Sequence, residues 1–479
     1  MPGPKPGALP LGDGPSIPNS INFTTLNYKN PQARFSAIFA IIIQVVKKVI
    51  FETVTLEKIV GGGQSLGTLD DGRKCFVWGG LPGETVSVRI TKKKSHFVEG
   101  VAEEIIKPVQ ERIAPRDADS YLSTSPWQIM DFANEQQYKT SLIKEAFTLH
   151  DVKLPNNIEI FSDNVEFGYR NKVEFSWYSE LQADGDSLDL AFYRRGSKGK
   201  ITVDATSLAR PEINQLAQAI RNLLRRKPIS ARNLKTLLIR CDQQGNCVWQ
   251  LYLKDEINGL ITPNEATQLP AQGGEIIYSD PKSPASRITK RLEKFGNTTL
   301  TDRILNIPFN YACESFFQIN IPVYEQALRD IKTWTVGQPI LDLYSGVGTI
   351  GLTVGDSDIT LIEINEYAVR EMTRNIELLN RTKTAQAVLA PSEQALSYLT
   401  GDKIVIIDPP RAGLHTDVIK QLLESIPPYI IYLSCNPVTQ ARDVALLTEK
   451  YEIVNHRGYN FFPRTPHIEH LVVLKKVEA

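Results

Sequence analysis

From Gln338 to the C-terminus, short apolar runs alternate with helical segments four times. PILDLYS, DITLIEIN, KIVIIDPP and YIIYLSCNP read as strands. Each is followed by a segment that reads as a helix: SGVGTIGL, EYAVREMTRNIELLN, HTDVIKQLLESI and VTQARDVALLTEK. This alternation predicts an α/β domain built on a doubly wound, mostly parallel sheet. The unbroken apolar character of IVII and YIIYL places those strands inside, buried on both faces. A last pair, YEIVNHRGYNFF and HIEHLVVLKK, predicts that the sheet ends with an antiparallel strand.

Ligands in such sheets bind at the carboxyl ends of the strands. Those ends carry Asp342-Leu-Tyr344-Ser-Gly346-Val-Gly348, then Glu363, then Asp408-Pro-Pro-Arg411, then Ser434-Cys435-Asn436-Pro437. Four polar strand ends are hard to explain by folding alone. The glycine turn suits a dinucleotide pyrophosphate or an adenosine cofactor passing over glycine backbone. Glu363 follows Asp342 by about 20 residues and suits a ribose hydroxyl pair. The DPP turn favours a nucleic-acid methyltransferase over a dehydrogenase; its plain alternative is a strand-terminating turn. Free cysteine is usually buried and inert. Cys435, however, stands at a strand lip before a helix N-terminus, which is expected to lower a thiol pKa of about 8.5. Glu469, read alone, is a candidate base or a strand residue paired with His467 or His470.

The chain has 479 residues, too many for one compact core. Residues 52 to 108 read as short strands broken by glycine, with DDG as a hairpin turn, and predict a small closed barrel. Arg89 and Lys92 to Lys94 beside His96 and Phe97 suit a solvated hairpin tip and a phosphate contact equally. From Val165 to Leu300 the pattern is α+β, with Arg170, Lys172, Arg194 and Arg195 among Tyr169, Phe175, Trp177 and Tyr193. Bases stack on aromatics and phosphates pair with cations, so this suits single-stranded RNA. A strand pair with its charged face in water is the slightly simpler account. With 54 Lys+Arg against 54 Asp+Glu, the chain is no polycation that coats nucleic acid. Its five cysteines offer neither a disulfide framework nor zinc spacing, which points to the reducing cytoplasm. The leader to residue 46 is expected to be disordered. The apolar run from Phe35 stops at Lys47, short of the roughly 20 residues of a membrane helix.

LDLYSGVGTIGL, DPPRAGL, YLSCNPVTQARD and FFPRTPHIEH, with FFQIN at 316–320, resemble the S-adenosylmethionine-dependent RNA uridine-5-methyltransferase family. The front barrel resembles a TRAM domain, an OB-like RNA-binding module. YRNKVEFS and FYRRGSKGKI resemble the family's central domain. The resemblance implies a Rossmann-like class I methyltransferase domain over 301–479, a TRAM domain over 47–109 and a central α+β RNA-binding domain over 110–300. It implies an enzyme that uses S-adenosyl-L-methionine on RNA; a monomer is expected, with no membrane, given the short apolar run, and no metal, given the residues below. Carried onto matching positions, Cys435 is the nucleophile and Glu469 the base. Gln318, Tyr344, Glu363 and Asp408 fall in the cofactor pocket, with Asp408 facing either the uracil edge or the cofactor amine. The barrel favours ribosomal RNA (23S) as substrate, with transfer RNA as the alternative.

Two departures stand out. Asn460 occupies a position usually acidic in the family. Asp117, Ser123, Pro126 and Leu208 stand where many members hold an iron–sulfur cluster on cysteines, so no cluster is expected here. Two other functions compete. An adenine amino-methyltransferase would place an aromatic residue after DPP, where this chain has Arg411. A non-catalytic RNA-binding protein or chaperone would not need Cys435 and Glu469 intact.

Overall fold

The computed structural model describes residues 50–182, 185–284 and 286–478. The leader and the apolar run as far as Val49 lie outside them. No helix among the described residues is long and apolar enough to cross a membrane.

The front forms a closed barrel from β1 (Phe51–Ile59), β2 (Ser65–Thr68), β3 (Lys74–Trp78), β4 (Thr85–Lys93) and β5 (Phe97–Lys107), in the order β1-β2-β3-β5-β4. Closure removes the free edges that so small a sheet would otherwise present. Alternate residues point inward, and Val54, Leu56, Cys75, Val77, Val86, Val88 and Val98 fill the interior. At the β4–β5 tip, Arg89 pairs with Glu103 and Lys92 with Glu99, each at 2.6 Å. Two of the four cations of this tip are thus matched within the hairpin.

A seven-stranded sheet forms the middle of the chain. The helix Pro211–Leu224 covers one face of it, burying Ile213, Leu216, Ala217 and Ile220. Proline at its first position fits, because that N–H would have no intrahelical partner. From the same sheet Leu238, Val248, Tyr252 and Ile277 enter the core of the C-terminal lobe, so the two lobes share apolar packing.

The C-terminal sheet has eight strands. In spatial order they are Ala385–Leu389, Ile359–Glu363, Ile340–Leu343, Ile404–Ile407, Tyr429–Ser434, Glu469–Lys476, Tyr451–Tyr459 and Ile160–Phe161. The first five run parallel and the sixth is antiparallel to the fifth. Strand order reverses beside Ile340–Leu343, and the crevice of a doubly wound sheet opens at such a switch point. Every residue of Ile340–Leu343 and Ile404–Ile407 is buried, Asp342 included.

Two elements sit differently from the sequence reading. The sheet does not end on the antiparallel C-terminal pair, because Ile160–Phe161 adds a further strand parallel to Tyr451–Tyr459. The helix Phe132–Thr148 packs Ile143, Ala146 and Phe147 against Tyr432, Val472 and Leu474 of the C-terminal sheet. Both elements precede the central sheet in sequence, yet their side chains belong to the C-terminal lobe.

Candidate active site

The strand ends open into one cavity of about 1000 Å³, of a size suited to small-molecule ligands. Gln318, Tyr344, Glu363, Asp408, Cys435 and Glu469 all line it, with Gly346 and Arg411. The six residues singled out from sequence therefore share one space, although they span 152 positions from Gln318 to Glu469.

The glycine turn is held from below. Asp342 lies buried one residue before its strand ends, and its Oδ2 accepts the Gly351 N–H at 2.9 Å. A Cβ at Gly351 would lie 2.3 Å from Leu361 Cδ2, so only glycine lets the helix Thr349–Val354 press this close to the sheet. The other oxygen of Asp342 has no partner, and burial pushes its carboxyl up to about 8. Tyr344 turns the chain at φ 64°, a conformation that costs a residue of its kind about 1–3 kcal/mol. The Ser392 hydroxyl donates to its phenol oxygen at 2.7 Å and fixes the ring. Glu363 accepts from the N–H groups of Gly346 at 3.0 Å and Asn365 at 2.8 Å.

Cys435 follows the strand Tyr429–Ser434 and precedes the helix Pro437–Leu447, capped by Asn436. Asn436 donates to the Arg411 carbonyl at 2.9 Å, tying the cysteine loop to the DPPR turn. Cys435 is half-buried, while the other four cysteines are fully buried. Its thiol is not acidic. Burial pushes it up to about 12, with Glu469 and Asp408 adding to the rise and Arg411 opposing it. The helix N-terminus alone suggested the opposite direction; burial, with two carboxyls from other strands, outweighs it.

Glu469 begins the last long strand and is buried. Burial and Asp408 hold its carboxyl well above the usual range, against the pull of Arg411. Asp408 is raised by burial to about 7. Neither histidine beside Glu469 pairs with it. His470 meets Gln440 at 2.7 Å and His456 at 3.3 Å, and His467 meets Arg411 at 3.1 Å. The cavity thus holds a thiol and two carboxyls, Asp408 and Glu469, all raised by burial, with Arg411 beside them.

The barrel reaches this region. A Cβ at Gly63, between β1 and β2, would lie 2.1 Å from Pro466, three residues before Glu469. The two departures also have structural accounts. Asn460 accepts from the buried Lys139 ammonium at 2.5 Å and donates to Glu135 at 2.9 Å. Asp117 accepts from the Ser207 N–H at 3.1 Å and the Ser207 hydroxyl at 2.9 Å, and Gln128 donates to it at 3.1 Å. Among the described residues no group of three or more His, Cys, Asp or Glu is placed to hold a metal ion.

Sequence reasoning missed Ser392 and the Arg411–His467 contact as parts of the site. Ser392 lies three residues beyond the strand Ala385–Leu389, which the strand–helix pattern did not reveal. The rule that each parallel strand delivers a residue to the crevice would have found it.

A family model described as tRNA (uracil-5-)-methyltransferase matches residues 131–477, and a TRAM domain model matches residues 48–102. The chain is 26% identical over 428 residues to a protein of Enterococcus faecalis named an uncharacterized RNA methyltransferase, covering 84% of this chain and 92% of that one. A Prochlorococcus marinus protein of the same name is 28% identical over 435 residues, covering 83% of this chain and all of the relative. The fold matches the Pyrococcus abyssi tRNA (uracil-54, C5)-methyltransferase solved with S-adenosyl-L-homocysteine, at a TM-score of 0.70 and 22% identity over 88% of this chain and 100% of that one. With the family model spanning the helix Phe132–Thr148, the central sheet and the whole cavity-bearing lobe, the chain belongs to the tRNA (uracil-5-)-methyltransferase family.

Proposed function

We propose that this chain transfers a methyl group from S-adenosyl-L-methionine to carbon 5 of a uridine in RNA. The observation that carries this reading is Cys435 and Glu469 on one cavity wall system, with the Glu363 carboxylate in the same space. The cavity suits the cofactor. A Cβ at Gly346 would meet no protein atom within 4 Å, so the glycine leaves free space against the cavity floor. Glu363, at its strand end, can accept from ribose hydroxyls while holding Gly346. Gln318 and Tyr344 line the same space and would flank the cofactor. S-adenosylmethionine, when bound, supplies a methyl group on a sulfonium.

The residues act on the uracil ring. The Cys435 thiol gives up its proton to water and its sulfur bonds to carbon 6. The electron pair of the 5,6 double bond moves toward the carbon 4 oxygen as an enolate, and carbon 5 becomes nucleophilic; it would take the methyl group as the sulfonium's S–CH3 bond breaks and its sulfur leaves as a neutral thioether. Glu469, as carboxylate, removes the hydrogen on carbon 5 as a proton. The double bond re-forms and the Cys435 sulfur leaves. This is nucleophilic catalysis followed by general base catalysis. Asp408 holds either the uracil edge or the cofactor amine. The uridine must leave its stack to reach Cys435, at a cost of about a few kcal/mol.

The front barrel leads us to favour ribosomal RNA, while the Pyrococcus abyssi fold neighbour is named for transfer RNA. Labelled S-adenosylmethionine incubated separately with unmodified ribosomal and transfer RNA, followed by mass spectrometry of the nucleosides, tests both points. Label in 5-methyluridine from ribosomal RNA is expected. Label from transfer RNA alone moves the substrate, and label in another nucleoside overturns the mechanism.

A further inference from the structure

The cavity that holds Cys435 has a far wall that the uracil and cofactor residues do not form. Part of that wall is Arg287, Ile288 and Arg291, around the start of the strand Lys290–Gly296 of the central sheet. The rest comes from the helix Glu366–Leu378 of the C-terminal lobe, through Arg370, Glu371 and Arg374. The space continues past this wall. A second cavity of about 480 Å³ adjoins the first, and Arg291, Ala312, Glu314, Glu371 and Arg374 line both. Lys294, Thr299 and Asn310 line the second beyond them. The two cavities make one trough that runs from Cys435 outward between the central sheet and the helix.

The trough has a fixed floor. Asn375 accepts the Asn310 N–H at 2.9 Å and donates to the Asn310 carbonyl at 3.2 Å. One turn earlier, Glu371 accepts the Ala312 N–H at 2.7 Å and the Ser315 hydroxyl at 2.5 Å. Arg374 stands between these two anchors of the helix, so its backbone is held at the rim. The buried Arg240 donates to the Ser315 carbonyl at 2.7 Å and the Phe317 carbonyl at 3.0 Å, which fixes the loop leading to Gln318. The charges divide by sign. The carboxylates are turned to protein donors: Gln250 donates to Glu275 and to Glu314, each at 2.7 Å, and Arg291 pairs with both. Arg287, Lys294 and Arg374 are exposed and, among the described residues, enter no salt bridge. The first cavity alone is at the upper end of the usual size of a small-molecule site. A trough that continues past it, with unpaired cations on both banks, suits a chain of repeated negative charge.

We propose that this trough holds the single-stranded RNA segment next to the target uridine, with Arg287, Lys294 and Arg374 on its backbone phosphates. Arg287 and Lys294 belong to the central lobe and Arg374 to the C-terminal lobe, so the segment leaves the cavity between the two. Guanidinium and ammonium groups both suit phosphate oxygens, and neither selects a base. This inference rests on RNA being the substrate of the cavity.

The test uses the full chain and a fluorescein-labelled oligouridylate of about 12 nucleotides, within the span of a single-strand site. Affinity is followed against salt. Arg287→Gln, Lys294→Gln and Arg374→Gln together should weaken binding about tenfold or more, and the slope of log affinity against log salt should fall by about 0.7 per lost phosphate contact. Arg287→Lys with Arg374→Lys, which keeps both charges, should retain most of the slope. S-adenosylhomocysteine affinity, measured by calorimetry, should stay the same in all variants. Unchanged slope and affinity in the triple Gln variant would overturn the trough as an RNA site. So would an equal loss in Lys383→Gln with Lys420→Gln, two exposed lysines outside both cavities. A loss of S-adenosylhomocysteine affinity in the triple variant would make the trough part of the cofactor's own site and overturn the proposal as well. If the slope falls as expected while no RNA accepts label on uridine, the trough stands and the methylation reading fails. If uridine is labelled while the slope is unchanged, the methylation reading stands and the trough falls.

Discussion

Asn460 donates its side-chain amide to Glu135 at 2.9 Å, and the fully buried Lys139 ammonium lies 2.9 Å from that glutamate and 2.5 Å from the Asn460 oxygen. One carboxylate and one amide therefore serve one ammonium in a place closed to water. The Arg464 N–H also donates to Glu135, at 3.0 Å, so the arrangement fixes the turn that leads to Glu469.

That pairing predicts a charge exchange. Asn460→Asp alone puts a second carboxylate against Glu135, and Glu135→Gln alone leaves Lys139 without its counter-charge. Each should destabilise the fold by about 3–5 kcal/mol, as expected when a buried ion pair is unbalanced. The double variant restores one carboxylate and one amide and should recover most of the loss. Denaturant titration of the four proteins measures the coupling.

Cys435 should be slow to alkylate in the free protein. The thiolate is the nucleophile, and with the thiol held up to about 12 it is scarce at neutral pH. A raised acid pKa means protonation persists as pH increases, so the iodoacetamide rate should climb about tenfold per pH unit without levelling off below pH 10. The other four cysteines are buried, so peptide mapping should find label at Cys435 alone. A plateau near pH 8 would contradict the assigned environment.

Glu469→Gln separates two effects of one carboxyl. Removing its charge should speed alkylation of Cys435, because Glu469 is among the groups that hold the thiol protonated. Removing the base should stop turnover by at least a hundredfold and let the protein–RNA adduct accumulate on denaturing gels. Faster alkylation with no adduct, while RNA still binds, would mean that another group takes the proton.

Asp117→Ala should loosen the joint between residues 117–128 and 206–207. It deletes acceptors for the Ser207 N–H, the Ser207 hydroxyl and Gln128. Charged acceptors of this kind contribute about 1.5–3 kcal/mol each at most, partly recovered by water at this half-buried position. A fall in melting temperature with unchanged S-adenosylhomocysteine affinity is expected.

The parallel strands were legible because burial on both faces leaves continuous apolar runs, as in IVII and YIIYL. The residues at their ends were legible for the same reason, since a polar residue after such a run must face the crevice. Ile160–Phe161 was not, because two residues show no periodicity. The helix Phe132–Thr148 was visible from its spacing, but spacing names a buried face without naming what covers it. The direction of the Cys435 shift was misjudged because the local argument saw the following helix and not the burial that the fold imposes, nor Asp408 and Glu469, which arrive from separate strands. Arg195 illustrates the same limit: its stacking on Trp78 joins residues 117 positions apart.

The chain leaves the barrel, lays a helix and a two-residue strand onto the C-terminal lobe, and only then builds the central sheet. The catalytic lobe is therefore not a separable cassette. A gene rearrangement that exchanged everything before residue 301 would carry off the edge strand of the catalytic sheet and the helix that covers one of its faces. Shuffling a different RNA reader onto this enzyme would have to splice ahead of Phe132 and again after Phe161, which makes the barrel the more easily traded part.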